Sequence, residues 1–296
     1  MAEGLWVGGD ELEPQESPFR TVPLQKHYSI EVPTLCYNVQ MRVTTNKTLA
    51  IEPLIDETLQ GLSCQYALYY RPRGGTGILR KNCDLFLSAS IIKVPILYAW
   101  AYLEQEGFVS QNEMCDLDAE TQVEGAGFAR LYQQRALPYH DVLLMMMAVS
   151  DNLCTNLIIR RIGLPRLNDL FRRLGLPHAR VERRLMDYEA RARGLDNWIS
   201  PEDCIHLYDI RDRLPQGART WTDKMLECNV DLGLWLRNIR RDSVEFLHKT
   251  GDMTGVLHDW GYTKDADLFL LTQDVGNDAE VFRLLDHLGP ILLALR

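Results

Sequence analysis

A serine and a lysine, Ser90 and Lys93, lie three residues apart inside the otherwise apolar run of residues 85–97. In a helix that begins near Ala89, residues three apart share one face, one turn apart. Apolar surroundings desolvate a lysine ammonium and favour the neutral amine that a general base needs. A serine hydroxyl becomes a good nucleophile only when such a base removes its proton. The spacing is compatible with nucleophilic catalysis, although the motif alone is more typical of a serine that caps a helix beside a solvated lysine.

Two further motifs follow in chain order. Ser150-Asp151-Asn152 stands at the end of an apolar helical stretch, and Lys249-Thr250-Gly251 stands on a predicted strand and is followed by Asp252. S-x-x-K, S-D-N and K-T-G in this order form the signature of penicillin-binding proteins and class A β-lactamases. Each motif alone is weak, but the three together, at this spacing and in these settings, make the chain resemble a class A β-lactamase-like serine hydrolase.

The resemblance extends beyond the motifs, from about residue 49 to residue 296, and leaves only the first ~45 residues unaccounted for. The other segments that resemble the family are residues 124–127, 148–158, 200–203, 248–251 and 258–261. By the same resemblance, Arg183 and Asp196 would form a pair that ties together the ends of an Ω-loop.

The resemblance implies a catalytic role for four residues, Ser90, Lys93, Ser150 and Lys249, and a substrate-binding role for Asn152. Ser90 would be the acylated nucleophile, and Lys93 would take its proton, directly or through a water. Ser150 would relay a proton to the departing nitrogen. Asn152 would position Lys93 and the substrate.

The K-T-G strand would supply the remaining contacts. Lys249 would provide positive potential near Ser150, and Thr250 would bind a carbonyl or carboxylate of the substrate, with Gly251 beside it. The backbone N–H groups of Ser90 and Asp252 would form the oxyanion hole, which is usually the largest electrostatic contribution in acyl transfer.

The Ω-loop is where the chain departs from the family. Class A enzymes carry a glutamate there that activates the deacylating water, and the family's spacing places that position at Leu185 or Met186. Neither side chain can act as a base. The nearest carboxylates, Asp187 and Glu189, would serve if the loop is re-routed; otherwise they are expected to form ordinary salt bridges with loop arginines.

Substrate recognition departs as well. Class A enzymes often place an arginine about ten residues after the K-T-G lysine, and here His258 and Asp259 occupy that region. Two interpretations of His258 stay open at this point. It contacts the substrate, or it is a strand histidine satisfied by its neighbours.

The elements that must position these residues follow from the hydrophobic periodicity. Residues 66–70 and 77–79 flank a glycine-rich turn and predict a hairpin. Helical patterns dominate residues 90–212, and residues 49–62 and 279–295 predict further helices. The segments predicted as strands are residues 37–43, 245–250, 256–262 and 268–272.

This order predicts an α/β (α+β) fold in which both chain ends build one antiparallel sheet lobe, with an all-helical lobe between them. The predicted boundaries are an N-terminal extension (1–45), the sheet lobe (46–87 and 213–296) and the helical lobe (88–212).

The composition indicates which classes of molecule the protein is not expected to bind. The chain has 296 residues, of which 46% are hydrophobic and 25% charged, and a net charge of −9 from 41 acidic and 32 basic residues. Because no long basic run appears, neither nucleic acid nor an anionic membrane is expected to bind. No window approaches the ~18 consecutive apolar residues of a membrane span.

The cysteines and the N-terminus indicate in which cellular compartment the protein is expected. The 7 cysteines are dispersed without C-x-x-C pairs, which predicts reduced thiols rather than a disulfide framework or a zinc site. The first eleven residues have neither the basic nor the apolar region of a secretory signal. We therefore expect a cytoplasmic protein.

The sequence predicts a serine acyl-enzyme hydrolase of class A β-lactamase type, which opens a cyclic or activated amide through Ser90. No metal or organic cofactor is implied, the expected partner is a small-molecule amide or ester, and nothing indicates the oligomeric state. One alternative is a cytosolic acyltransferase or peptide or thioester hydrolase on the same scaffold, favoured by the altered loop and the absence of a signal sequence. A less favoured alternative is a non-catalytic binding protein, against which the intact Ser90, Lys93, Ser150 and Lys249 argue.

Overall fold

The computed structural model describes residues 51–240 and 242–294, so the predicted extension and the strand predicted at residues 37–43 lie outside the described residues. Helices in the described part are α1 (Ile51–Leu59), α2 (Lys93–Gln105), α3 (Tyr139–Ala148), α4 (Asn152–Ile162), α5 (Leu164–Leu174), α6 (Tyr188–Ala192), α7 (Pro201–Arg213), α8 (Gln216–Glu227) and α9 (Asp278–Ala294). Strands are β1 (Gln65–Pro72), β2 (Ile78–Lys81), β3 (Phe86–Leu87), β4 (Met114–Asp116), β5 (Ala136–Pro138), β6 (Trp198–Ile199), β7 (Leu247–Met253), β8 (Val256–Tyr262) and β9 (Ala266–Gln273).

Five strands form the main sheet, in the order β2-β1-β9-β8-β7 with every neighbouring pair antiparallel. Strands β1 and β2 precede the run of helices and β7, β8 and β9 follow it, so both parts of the chain build one sheet. Tyr69 pairs with Phe269 and Thr250 pairs with Asp259, which places the K-T-G strand at the sheet edge. The predicted fold class is confirmed, whereas the predicted lobe boundaries stay a prediction.

The sheet separates two hydrophobic cores because side chains alternate between its faces. On β1, Ala67 and Tyr69 pack in the core beneath the helices from α2 to α8, whereas Leu68 and Tyr70 pack in the core beneath α1 and α9. Since both faces are covered, all seven residues of β8 are buried. The sheet is therefore buried between helices on both of its faces.

Helix α2 is the centre of the larger core. Ten of its residues are buried, including Lys93 at its first position. A helix that is apolar on all sides needs protein contacts all round. The lysine is therefore buried because it begins the central helix.

Two features differ from the sequence-based expectation. The turn of Ala89–Ile92 that precedes α2 is a 3-10 helix rather than α-helix. Helix α8 lies beyond residue 212, where the helical pattern was expected to end, and it packs on both α3 and β7. Helix α8 therefore lies between the other helices and the edge of the sheet.

Six cysteines of the described part (64, 83, 115, 154, 204 and 228) are free. Among the described residues, no helix is long and apolar enough to cross a membrane.

Candidate active site

A strained turn presents Ser90. Ala89 has a φ of 42°, a left-handed conformation that is uncommon outside glycine. The 3-10 turn then leads directly into α2, so Ser90 and Lys93 share one face and Lys93 Nζ lies 2.9 Å from Ser90 Oγ. Backbone strain of this kind persists only where the surroundings impose it, and it is common at functional sites.

A second strained residue brings a second hydroxyl to the same point. Ser150 has a φ of 57°, and its hydroxyl donates a hydrogen bond of 2.8 Å to Ser90 Oγ. Asp151 holds this conformation, because its carboxylate accepts hydrogen bonds from the backbone N–H groups of Cys154, at the start of α4, and of Ala129. The aspartate of the S-D-N motif is thus a structural anchor.

Lys93 joins the two motifs. Its amine lies 2.8 Å from Ser150 Oγ, 2.7 Å from the Ser150 carbonyl oxygen and 3.1 Å from Asn152 Oδ1. Asn152 is itself held by the loop before α3, since its backbone N–H donates to the Ala126 carbonyl. The structure therefore brings Ser90, Lys93, Ser150 and Asn152 together, as the resemblance predicts.

Strand β7 closes the site from the other side. A Cβ at Gly251 would lie 3.2 Å from the backbone nitrogen of Ser90, so a side chain there would push the strand and the turn apart by a few tenths of an ångström. Lys249 is 0% exposed and its amine donates to the Thr250 carbonyl at 2.8 Å. Thr250 and Asp252 line the cavity that contains Ser90.

Burial controls the charge of both lysines. Desolvation holds the pKa of Lys93 well below its usual value, and the positive charge of Lys249 lowers it further against the opposing effect of Asp151. Desolvation also lowers the pKa of Lys249, to about 8, while the carboxylates of Asp231 and Asp259 oppose that shift. Lys93 is therefore suited to accept a proton, and Lys249 retains its charge at neutral pH.

The cavity around Ser90 has a volume of about 270 Å³. Its lining residues are Ser90, Ala126, Ala148, Val149, Ser150, Asn229, Val230, Asp231, Thr250 and Asp252. Sequence reasoning missed Asn229, Val230 and Asp231, which follow α8 and belong to no motif. Asp231 is exposed, and its carboxylate accepts a hydrogen bond of 3.1 Å from the Gly233 N–H, which holds its orientation.

The 183–196 loop, our name for the predicted Ω-loop, is closed by an ion pair. Arg183 Nη2 lies 2.6 Å from Asp196 Oδ1, which confirms the predicted pair. Asn156 on α4 then fixes Leu185 from both sides, since it accepts from the Leu185 N–H at 2.8 Å and donates to the Leu185 carbonyl at 3.0 Å. Asn156 and Asn152 are four residues apart on α4, so Leu185 is held one helical turn from the residue that contacts Lys93.

The loop brings no carboxylate to the Ser90 cavity. Asp187 caps α6 by accepting from the Ala190 N–H at 2.8 Å, and Glu189 is exposed. Both line a different cavity, of about 420 Å³, together with Leu185 and Met186. The expectation that Asp187 or Glu189 faces the ester as a base is therefore not supported by their positions.

The suggested substrate contact of His258 also requires correction. The ring is 0% exposed, with Nε2 at 2.8 Å from the Leu87 carbonyl and Nδ1 accepting from the Thr272 N–H at 3.0 Å. Burial lowers its pKa to about 4, so the imidazole is neutral. Both nitrogens are occupied, and His258 holds β3 against the sheet.

Among the described residues, no group of three or more His, Cys, Asp or Glu side chains could hold a metal ion.

Comparison with known proteins identifies this architecture. The sequence model of the β-lactamase enzyme family matches residues 53–290. The solved structure of PBP-A superposes with a TM-score of 0.71 at 22% identity, over 82% of this chain and 94% of that one. A leucine-to-glutamate variant of PBP-A, solved as an acyl-enzyme complex with penicillin G, has a TM-score of 0.70 at 21% identity over 81% and 95% of the two chains.

A third structure, a β-lactamase from Sphaerobacter thermophilus, has a TM-score of 0.69 at 20% identity over 81% of this chain and 94% of that one. No curated protein matches the sequence significantly. At these identities the structural matches establish the fold.

The close approach of β7 to the Ser90 turn gives a direct test. Gly251→Ala should reduce the rate of any acylation at Ser90 by roughly tenfold or more, because the new methyl group displaces the strand from the Ser90 backbone. Gly276→Ala is the matched control, since a Cβ there meets nothing within 4 Å. Acylation is followed by intact-mass spectrometry. Equal rates in the two variants would contradict the assigned role of the close contact.

Proposed function

We propose that this chain, a serine hydrolase that belongs to the β-lactamase enzyme family, opens β-lactams or a related cyclic or activated amide through an acyl-enzyme on Ser90. The observation that carries the proposal is the triangle formed by Lys93 Nζ, Ser90 Oγ and Ser150 Oγ, whose sides are 2.8 to 2.9 Å. It sits beside a cavity large enough for a small substrate.

Acylation begins with proton transfer from Ser90 to Lys93. Four oxygen atoms lie 2.7 to 3.1 Å from Lys93 Nζ, and two of them belong to the hydroxyls of Ser90 and Ser150. A neutral amine can accept a hydrogen bond from one of these hydroxyls, and burial favours the neutral form. As Ser90 Oγ attacks the carbonyl carbon, its proton passes to Lys93.

Collapse of the tetrahedral intermediate then breaks the C–N bond. Ser150 donates its hydroxyl proton to the departing nitrogen and regains a proton from the Lys93 ammonium, so the network returns to its initial state. The backbone N–H groups of Ser90 and Asp252 stabilise the oxyanion, and the charged Lys249 stabilises the negative charge that develops nearby.

Deacylation is where this chain should differ from a fast β-lactamase. Hydrolysis of the ester needs a base within hydrogen-bond reach of a water, and the 183–196 loop contributes no carboxylate to the Ser90 cavity. This observation supports a second candidate function, transfer of the acyl group to an acceptor other than water. A long-lived acyl-enzyme is expected for both candidates, slow hydrolysis and acyl transfer.

The test of the proposal is formation of the adduct. Ser90→Ala should abolish covalent labelling by a panel of β-lactams and peptide thioesters. Lys93→Ala should slow it by about 10³-fold or more, and the double variant should be no worse than Ser90→Ala, because the two residues act as a unit. Intact-mass spectrometry measures the adduct.

Ser243→Ala and Lys81→Ala are matched controls at exposed positions and should react normally. An adduct on the Ser90→Ala variant would refute the mechanism. A thioester adduct with no β-lactam adduct would favour the acyltransferase.

Because the 183–196 loop contributes no carboxylate to the Ser90 cavity, we predict a burst of product followed by slow turnover. With a chromogenic cephalosporin, we expect about one equivalent of product and then a weak steady rate. Leu185→Glu should accelerate deacylation by roughly tenfold or more, because Asn156 holds this position one turn from Asn152 and a carboxylate there can activate water. The lifetime of the adduct is measured by mass.

Leu185→Gln has the same shape without a base and should leave that lifetime unchanged. Asp187→Asn and Glu189→Gln should do the same, because both residues face the other cavity. A longer lifetime in either would show that the loop moves its carboxylates to the ester.

The two lysines predict a bell-shaped pH dependence of acylation. On the acid side the rate should rise as Lys93 loses its proton, at a pH well below the ordinary lysine value. On the alkaline side it should fall through about pH 8, as Lys249 becomes neutral. Stopped-flow measurement of the burst gives the profile, with circular dichroism to confirm folding at each pH. A rate that keeps rising through that range would exclude Lys249 as the group responsible.

A further inference from the structure

The cavity that contains Ser90 has an acidic wall. Asp231 and Asp252 both line it, and its lining residues include neither lysine nor arginine. The two carboxylates come from different elements, since Asp231 follows α8 and Asp252 lies on β7 beside the turn that carries Ser90. An acyl donor bound in this cavity would therefore lie against both side chains.

Both carboxylates are available to a ligand. Each is exposed, and neither forms an ion pair with a lysine, arginine or histidine of the described part of the chain. By contrast, Asp196 of the 183–196 loop and Asp267 on the central strand β9 are each paired with an arginine. An unpaired carboxylate at the mouth of a reactive cavity attracts cationic substrates and repels anionic ones.

The two carboxylates also act on each other. Desolvation raises the pKa of Asp252, and the negative charge of Asp231 raises it further. A positive group placed near both carboxylates would relieve this repulsion. The neighbouring cation, Lys249, interacts with Asp231 from a fully buried position, but its amine is directed to the Thr250 carbonyl and it is not among the residues that line the cavity.

Class A enzymes often carry an arginine about ten residues after the K-T-G lysine, where it binds a substrate carboxylate. This chain has no arginine there, which leaves the cavity acidic. That position falls on His258 and Asp259, and both are buried away from the cavity. Asp259 accepts from His248 Nδ1 at 2.9 Å and from the Trp235 N–H at 3.2 Å. No arginine of the described residues therefore lines the Ser90 cavity to balance Asp231 and Asp252.

We propose that Asp231 and Asp252 select acyl donors that carry a cationic group, such as a protonated amine, close to the reacting carbonyl. The inference rests on the proposed function of Ser90 and names the substrate class for that site. Such a donor places its amine at the acidic wall and keeps its carbonyl at the backbone N–H groups of Ser90 and Asp252.

Three penicillins that share one phenylacetyl-type side chain provide matched probes: ampicillin adds an amine, benzylpenicillin adds nothing and carbenicillin adds a carboxylate. The assay is run below the ordinary α-amino pKa of about 7.7, so that the ampicillin amine is protonated. We expect acylation rate constants in the order ampicillin, benzylpenicillin, carbenicillin, with about a tenfold difference between the extremes that shrinks at high salt.

The combined Asp231→Asn and Asp252→Asn variant should lose this order, so that its rate constants for the three penicillins become nearly equal to one another, whatever their common value. Glu57→Gln, which removes one negative charge from an exposed position on α1, should retain the order. Equal rates for the three probes in the unaltered protein, or an order that survives the double substitution, would overturn the inference.

A binding measurement separates this inference from the proposed function. Calorimetry with the Ser90→Ala variant reports non-covalent affinity for the same three penicillins without acylation. Tighter binding of ampicillin than of carbenicillin, lost in the Asp231→Asn and Asp252→Asn background, would support the acidic wall even if the unaltered protein forms no adduct. Equal affinity, or no binding of any of the three, would overturn it.

Discussion

The site depends on a lysine amine that is buried and desolvated. Lys93 is the first residue of the buried helix α2, and its Nζ lies between the hydroxyls of Ser90 and Ser150. Removing an ammonium from water is costly, and the protein avoids most of that cost by holding the amine neutral. The polar partners around Nζ are therefore requirements of the fold as well as of the chemistry, because an unsatisfied buried amine would destabilise the core.

Two layers of structure meet at this amine. The helices supply Lys93 and Ser150, and the edge strand β7 supplies Gly251 and Lys249. Strand β7 is paired with β8 and contacts both the Ser90 turn and helix α8, in a sheet that is covered on both faces. Small displacements of reacting groups lower catalytic rates strongly, which explains why a site at this junction needs both cores intact.

Much of the fold and of the reactive centre could be predicted from the sequence, because the information is local. Ser90 and Lys93 share a turn, Ser150 and Asn152 share a helix start, and the strand period around Lys249 is unambiguous. Asp231 could not be found, because it lies in an irregular segment that tertiary packing alone brings to the cavity. His258 illustrates the opposite difficulty: a strand position shows that a side chain faces one side or the other, but not that β3 covers it.

Burial of the two lysines has a thermodynamic consequence for the molecule as a whole. In the unfolded chain both amines bind protons up to the ordinary lysine pKa of about 10.4, whereas in the folded chain the pKa of each is lower, to about 8 for Lys249. The unfolded state therefore holds more protons on these two amines, and their contribution to the free energy of unfolding increases with pH over that interval. Buried thiols such as Cys154 and Cys204, whose pKa is raised by desolvation, make a contribution of the opposite sign at alkaline pH. Under the proposed mechanism, alkaline solution that discharges Lys249 removes the cost of burying its charge and slows acylation.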